Sequence, residues 1–191
     1  MKYLLTAVLS VLTASTAWSG QAYFSSDQNV ERPIIEAINH AGSSIQAALF
    51  EINSKPLIEA LQRAAGRGVH VQLLLQRSRT PPDVCNQFLS TMEIHWSGGR
   101  SVRGLMHHKF AVFDTDLAVT GSYNWTRGAR HDNYENALFE DDADVVKAYM
   151  QQFALLWGRS QRSSELCEDI PKKDPSPKKH RRWHSYRSDT F

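Results

Sequence analysis

The sequence has little cysteine, with only Cys85 and Cys167 among its 191 residues. Neither residue lies near the polar motif described below, so a thiolate is a poor candidate for a nucleophile here. In an exported protein, an even number of cysteines predicts a disulfide, here between Cys85 and Cys167. Two free thiols or a link between two chains remain the alternatives.

An excess of one charge is also lacking overall, because 22 Lys and Arg against 20 Asp and Glu leave a net charge of +2. The charge is unevenly placed, however, since seven cations and one acid lie between Lys172 and Arg187. Together with its prolines, this composition predicts a disordered basic tail over residues 161–191. Trp183 and Tyr186 could stack on unpaired bases while the cations contact phosphates. A solubilising or membrane-surface tail is the alternative.

The first nineteen residues differ from the rest of the chain. Lys2 precedes an apolar run from Tyr3 to Leu12, and small residues lead up to Ser19. This pattern predicts a secretory signal that is cleaved near Ser19, and therefore an exported, periplasmic or secreted protein. A retained membrane anchor is the alternative, although the polar stretch from Thr13 to Ser19 makes a poor membrane span.

Residues 20–160 are long enough for one hydrophobic core, and we treat them as one domain. Their apolar pattern alternates between strand and helix, which predicts an α/β sandwich with a mixed sheet. Strands are predicted over residues 22–25, 45–51, 69–75, 93–96, 110–113, 117–120 and 135–139, and helices over 29–41, 57–65, 82–91 and 143–157. The apolar side of the last helix, from Val146 to Trp157, is expected to pack in the core.

One motif carries chemistry. The stretch MHHKFAVFDTDLAVTGSYN, from Met106 to Asn124, fixes the spacing of His107, Lys109, Asp114, Gly121, Ser122 and Asn124. In a strand, the period of two places His107 and Lys109 on one face and His108 on the other. An imidazole beside an ammonium group suits an anionic ligand.

The end of the motif adds neutral hydrogen-bond donors. Gly121 permits a close backbone approach, while Ser122 and Asn124 offer a hydroxyl and an amide that can hold phosphate oxygens. Asp114 has the opposite strand parity to His107, so strand geometry alone does not place its carboxylate with them. A structural role at the end of the strand is the alternative to a role in the site. The alternative for a His-x-Lys pair considered alone is a solvent-exposed strand face without a function.

A metal site built from His107, His108 and Asp114 is the rival chemistry. It is disfavoured because adjacent strand residues point to opposite faces and the sequence shows no second cluster of ligands. We therefore expect no metal and no cofactor.

These residues resemble the signature of the phospholipase D superfamily, and in particular its small bacterial endonuclease branch, in which each chain carries a single motif. The resemblance continues through Trp125-Thr126 and through Asn133-Tyr134-Glu135-Asn136. It covers residues 21 to about 160 and implies a phospholipase D-like α/β sandwich.

The resemblance implies a phosphoryl transfer in two steps without metal. His107 would attack phosphorus and form a phosphohistidine, which water then hydrolyses. Lys109, Ser122 and Asn124 would hold the non-bridging oxygens, and Asp114 would support the site. Glu135 would bond the far nitrogen of His107 and fix its tautomer.

This mechanism needs a second histidine to protonate the leaving oxygen, and the chain offers no second motif. None of the other seven histidines is followed two residues later by lysine. The economical solution is a homodimer in which both His107 side chains meet near the two-fold axis. Each chain then supplies half of one site.

The loop Gly98–Arg103, just before the motif, is basic and glycine-rich. Arg100 and Arg103 are expected to line a groove that admits a polyanionic substrate. A non-specific endonuclease acting on DNA or RNA is therefore the preferred function. The alternatives are a phospholipase acting on anionic membrane lipid such as cardiolipin, and an inactive nucleic-acid-binding module.

Overall fold

The computed structural model describes residues 20–80, 87–88, 91–101 and 104–162. Several predictions therefore lie outside the described residues: the signal segment 1–19, the Cys85–Cys167 disulfide, Arg103, most of the helix expected over 82–91, and the tail beyond residue 162.

The described strands form one mixed sheet. They are β1 (Gln21–Phe24), β2 (Ser44–Leu49), β3 (His70–Gln76), β4 (Glu93–Ser97), β5 (Lys109–Phe113), β6 (Leu117–Gly121), β7 (Asn136–Glu140) and β8 (Gln161–Arg162). Their order across the sheet is β1-β7-β6-β5-β2-β3-β4-β8. The pairs β2–β3 and β3–β4 are parallel and the others are antiparallel. The predicted mixed sheet is confirmed.

Helices cover both faces of this sheet. They are α1 (Glu31–His40), α2 (Lys55–Gly66), the short α3 (Arg127–His131) and α4 (Ala143–Arg159), with a 3-10 turn at Arg77–Arg79. The apolar sides of α1 and α2, including Ile38 and Leu61, pack in the larger core. Val146 and Phe153 of α4 pack against Phe110 on the other face of the sheet. This arrangement confirms the predicted sandwich, in which the sheet is the middle layer.

Side-chain caps fix where α3 and α4 begin. The Asp142 carboxylate accepts hydrogen bonds from the backbone N–H groups of Asp144 and Val145 at the start of α4. The Thr126 hydroxyl caps α3 in the same way through Ala129. Such caps satisfy donors that the first helical turn leaves free. Within the described part of the chain, no helix is both long and apolar enough to span a bilayer.

The strand register brings many segment ends to one edge of the sheet. Leu49 pairs with Lys109, Gln76 with Ser97, and Gly121 with Ala137. The residues that follow β2, β3, β4 and β6 therefore lie at the same edge as the starts of β5 and β7. We call this edge the site edge.

Candidate active site

His107 and Lys109 lie side by side at the site edge, where β5 begins. The Lys109 Nζ is 3.2 Å from Nδ1 and 3.4 Å from Nε2 of His107, and it donates a hydrogen bond to the His107 carbonyl oxygen at 3.0 Å. His108 instead contacts the Phe110 ring, with ring centroids 5.4 Å apart, and Gln152 of α4. The predicted separation of His107 and His108 onto opposite faces is confirmed.

A buried aromatic ring lies under this pair. The His107 and Phe50 ring centroids are 4.2 Å apart, and the Lys109 Nζ lies 4.9 Å from the centroid of Phe50. The guanidinium carbon of Arg79 also lies over this ring, at 5.2 Å. Phe50 directly follows β2, and its N–H donates a 2.7 Å hydrogen bond to the His108 carbonyl oxygen. The Phe50 ring therefore contacts one imidazole and two cationic groups.

The surroundings of His107 favour its neutral form. Burial and the nearby charges of Lys109 and Arg79 lower the pKa of His107. An imidazole attacks phosphorus only when a ring nitrogen is free, so this shift suits a nucleophile. Burial also lowers the pKa of Lys109, against the opposing influence of Glu135 and Glu51.

Ser122 and Glu135 are joined across the ends of β6 and β7. The Ser122 hydroxyl donates to the Glu135 carboxylate at 2.5 Å and accepts from the Asn136 N–H at 3.1 Å. The close contact between the end of β6 and the start of β7 requires Gly121, because a Cβ there would lie 2.3 Å from the Asn136 carbonyl oxygen. The glycine thus gives the close backbone approach that the motif predicted and sets Ser122 against Glu135. Because the Ser122 hydroxyl donates to Glu135 in this structure, it does not offer the free donor that was predicted to hold a phosphate oxygen.

Glu135 does not make the contact that was expected of it. Among the described residues it forms no hydrogen bond to His107, because its two carboxylate oxygens accept from Ser122 and Asn133. Ser25, just after β1, fixes its backbone by accepting from the Glu135 N–H at 2.7 Å and donating its own N–H to the Glu135 carbonyl oxygen at 2.9 Å. The expected Glu135–His107 bond is wrong for the single chain.

Asn124 lies in the loop between β6 and α3. Its side-chain oxygen Oδ1 is buried and has no hydrogen-bond partner among the described residues. The loop is held beside the end of β2, since the Trp125 carbonyl oxygen accepts from the N–H groups of Asn53 and Ser54 at 3.0 Å. A buried amide oxygen without a partner is uncommon in proteins. Because this oxygen is an acceptor, the contact with a phosphate oxygen that was predicted for Asn124 would have to come from its amide nitrogen.

Asp114 lies at the opposite edge of the sheet, so its expected place in the site is wrong. It follows the far end of β5, roughly 15 Å from Lys109 at about 3.3 Å per strand residue. Its carboxylate accepts from the N–H groups of Gly42, Ser43 and Ser44 at 2.7 to 2.8 Å, and from the Ser43 hydroxyl. Asp114 therefore joins the turn after β5 to the start of β2.

The three residues of the metal alternative do not converge. His108 faces α4, His107 faces the site edge and Asp114 binds backbone at the opposite edge. Within the described segments, no group of three His, Cys, Asp or Glu side chains could hold a metal ion.

A cleft of about 660 Å³ opens beside His107. It is bounded by the loop after β4, the segment leading to β5, and the C-terminal half of α4. Arg100 lines it as predicted, and Arg159 at the end of α4 adds a second cation. Leu105 and Leu156 give the cleft an apolar part. The loop is closed by a hydrogen bond from the Gly99 N–H to the Gly104 carbonyl oxygen at 3.0 Å.

Five residues near the site were not predicted from the sequence: Phe50, Glu51, Arg79, Ser25 and Arg159. None belongs to the motif. The first four come soon after a strand that ends at the site edge, and Arg159 ends α4. Predicting them would have required the strand order, which determines which strand ends lie at the site edge and which the sequence did not specify.

Comparison with known proteins shows the family. The family model described as "Cardiolipin synthase, PLD-like domain" matches residues 34–157. The mitochondrial cardiolipin hydrolases of Mus musculus and Xenopus tropicalis are 33% and 38% identical over 65% and 61% of this chain. A phospholipase D of Rickettsia bellii is 30% identical over 75% of this chain and 67% of its own length. The chain spans 56% of each of these two cardiolipin hydrolases.

Solved structures agree in fold. Nuc, a phospholipase D family member from Salmonella typhimurium, aligns with a TM-score of 0.68 at 21% identity, over 75% of this chain and 97% of Nuc. NucT from Helicobacter pylori aligns with a TM-score of 0.66 at 19% identity, over 74% of this chain and 98% of NucT. By its sequence match and by its fold, this chain belongs to the phospholipase D-like family.

Proposed function

We propose that the protein is a metal-independent phosphodiester hydrolase that works as a homodimer and cuts DNA or RNA. The observation that carries this proposal is the grouping of His107 with Lys109 at one edge of the sheet, where the Ser122–Glu135 pair also lies. A nucleophile held next to a cation suits phosphoryl transfer, because the cation stabilises the charge that develops on the non-bridging oxygens.

The reaction has two balanced steps. A ring nitrogen of His107 attacks phosphorus, the bond from phosphorus to the leaving oxygen breaks, and that oxygen takes a proton from the protonated His107 of the second copy. Water then attacks the phosphohistidine and gives one proton to the now neutral second imidazole. The phosphorus–nitrogen bond breaks and both histidines return to their initial states.

The need for a second copy follows from what one chain contains. The described residues place one imidazole, His107, beside Lys109, and the sequence has no other His-x-Lys motif. A single imidazole cannot be the nucleophile and the acid in the same step. A two-fold axis beside His107 would supply the acid without a second motif.

The charge around the site supports a polynucleotide substrate. Arg79 lies over the Phe50 ring, which also contacts His107. Arg100 and Arg159 line the neighbouring cleft. Repeating phosphates of one strand could contact all three cations, together with the basic tail predicted beyond residue 161. The predicted signal segment would place this activity in the periplasm or outside the cell.

An anionic lipid is the second candidate substrate. It is favoured by the relatives named cardiolipin hydrolase and by the exposed Leu105 in the cleft, which could contact acyl chains. The phosphoryl chemistry would be the same.

A substrate comparison in EDTA tests the proposal. Wild type and His107→Ala are assayed on plasmid DNA, single-stranded RNA and cardiolipin liposomes, and the intermediate is trapped by alkaline denaturation. We expect EDTA-resistant cleavage of nucleic acid and labelled phosphate on His107, both absent from the variant. Cleavage of liposomes alone would establish the lipid candidate, and nucleic-acid binding without turnover would leave an inactive module.

A further inference from the structure

Arg79 occupies a position that the motif does not explain. It ends the 3-10 turn that follows β3, and its guanidinium carbon lies 5.2 Å from the centre of the Phe50 ring. Lys109 and His107 use the same ring. Because both cationic groups lie about 5 Å from one ring centre, they cannot be more than about 10 Å apart.

The turn that carries Arg79 is fixed relative to His107. Gln76, the buried last residue of β3, accepts a 2.7 Å hydrogen bond from the Met106 N–H, directly before His107. Its side-chain amide also donates to the Ser78 hydroxyl at 3.1 Å. One side chain therefore links the segment before the nucleophile to the turn before Arg79.

The guanidinium group has no carboxylate partner among the described residues, and the side chain is exposed. Lys109, by contrast, lies within the electrostatic influence of Glu51 and Glu135. Two cations held over one ring repel each other, and an exposed contact with a ring offsets this only weakly. An anion between them would remove the repulsion and occupy the free N–H donors of Arg79.

We propose that Arg79 contacts the phosphoryl group under attack by His107, on the side of that group away from Lys109. This inference rests on the proposed phosphodiester hydrolysis. The planar guanidinium can donate two parallel hydrogen bonds to the non-bridging oxygens, which gain charge as the nitrogen–phosphorus bond forms. Arg79 is then a catalytic residue outside the family motif. It also helps to keep His107 neutral, since its charge lowers the pKa of that ring.

The test compares Arg79→Ala and Arg79→Lys with Arg63→Ala. Arg63 is an exposed cation in the last turn of α2, at the opposite edge of the sheet, so it controls for loss of charge. Turnover is measured on bis(4-nitrophenyl) phosphate, which offers a single phosphate, and on a polynucleotide. Binding of inorganic phosphate to each variant is measured by calorimetry, which does not depend on turnover.

For Arg79→Ala we expect kcat/KM on the small diester to fall roughly 10- to 100-fold and phosphate affinity about tenfold, as is typical for loss of one charged donor. Arg79→Lys should lose less, and Arg63→Ala should match wild type. The acidic limb of the kcat/KM profile should move to higher pH in Arg79→Ala, because His107 loses a neighbouring cation. That shift reports the charge of Arg79 beside His107, whereas the loss of phosphate affinity reports its contact with the phosphoryl group.

Phosphate affinity and small-diester turnover within twofold of wild type in Arg79→Ala would overturn the inference. A defect confined to the polynucleotide would also overturn it, since Arg79 would then contact a neighbouring phosphate. If wild type neither binds phosphate nor cleaves any diester, the proposed function itself fails. That result is distinct from a normal wild type with an unaffected variant.

Discussion

Two single residues of the motif, which its spacing does not distinguish, have different structural roles. His107 and Asp114 both belong to the signature, yet they lie at opposite edges of the sheet and do different work. The His107 imidazole lies beside the cations Lys109 and Arg79 at the site edge. Asp114 has its carboxylate filled by backbone donors. The motif therefore contains a residue that stabilises the fold, Asp114, as well as the proposed nucleophile, His107.

The state of His107 can be measured directly. Because burial, Lys109 and Arg79 all lower its pKa, the ring should titrate with a midpoint below 6.5. Lys109→Met should raise that midpoint, since one of the repelling cations is removed. Proton NMR of the ring signals, assigned by their absence from His107→Ala, gives both values. A midpoint that Lys109→Met leaves unchanged or lowers would contradict this role of Lys109.

Asp114 should matter for stability and leave the chemistry unchanged. Asp114→Asn keeps a residue that tolerates the left-handed backbone found here, at φ +49°, but it removes the charge that four donors share. We expect a loss of about 1 to 3 kcal/mol in the free energy of unfolding. Turnover per folded molecule should stay near that of wild type. A stable variant with little activity would show that Asp114 acts in the site after all.

The same group makes a pH-dependent contribution. Burial alone would raise the pKa of Asp114, but the N–H donors of Gly42, Ser44 and Ser43 and the Ser43 hydroxyl lower it overall. Its stabilising effect is therefore complete above the unfolded value near 3.8 and disappears as the pH falls through the lower folded value. Acid unfolding monitored by circular dichroism should show the gap between wild type and Asp114→Asn closing in that range.

At the scale of elements, most strands and helices follow from the apolar pattern alone. The strand predicted over 110–113 is observed as Lys109–Phe113, and the helix predicted over 143–157 as Ala143–Arg159. Both have strong periodicity, because one side of each must pack against a core. Their positions were within a few residues of the observed ends.

The apolar pattern did not predict the shortest elements. Helix α3 has five residues and strand β8 has two, which is too few for a periodic signal. They form because of tertiary contacts: Arg130 of α3 pairs with the buried Glu31 of α1, and β8 pairs with the edge of β4. The arrangement of the site depended equally on strand order, so Arg79 and Phe50 could not be found from spacing.

The junction of β6 and β7 offers a test at this scale. Gly121→Ala would place a Cβ 2.3 Å from the Asn136 carbonyl oxygen, so the start of β7 must shift. Because Glu135 precedes that strand, the Ser122–Glu135 bond should be lost with it. We expect a loss of about 2 to 4 kcal/mol in the free energy of unfolding, in the range of severe steric changes. Activity should fall more than tenfold even where the variant is folded. Gly66→Ala, at a helical position with open space, is the matched control.

At the scale of the whole molecule, the fold collects cationic side chains at one edge although the net charge is only +2. Arg79, Arg100 and Arg159 come from three separate segments of the chain. A substrate with repeated phosphates can engage all of them together. A substrate with a single phosphate needs only the groups around His107.

The cleft arginines should therefore affect polymers selectively. Arg100→Ala and Arg159→Ala are each expected to weaken polynucleotide binding and to reduce the slope of log affinity against log salt by about 1. Hydrolysis of bis(4-nitrophenyl) phosphate should be unchanged. Fluorescence anisotropy over a salt series measures the slope, and Arg63→Ala again controls for charge. If the slope of log affinity against log salt is unchanged in both variants, the polynucleotide does not contact the cleft.

In the proposed dimer, two copies of the chain build one site around their two His107 side chains. A heterodimer of wild type and His107→Ala, purified through two different affinity tags, can be assayed for turnover on a phosphodiester. We expect at least a hundredfold loss relative to the wild-type dimer, because the single shared site lacks either its nucleophile or its acid. Half of the wild-type turnover, or full turnover by a monomer, would contradict the shared site.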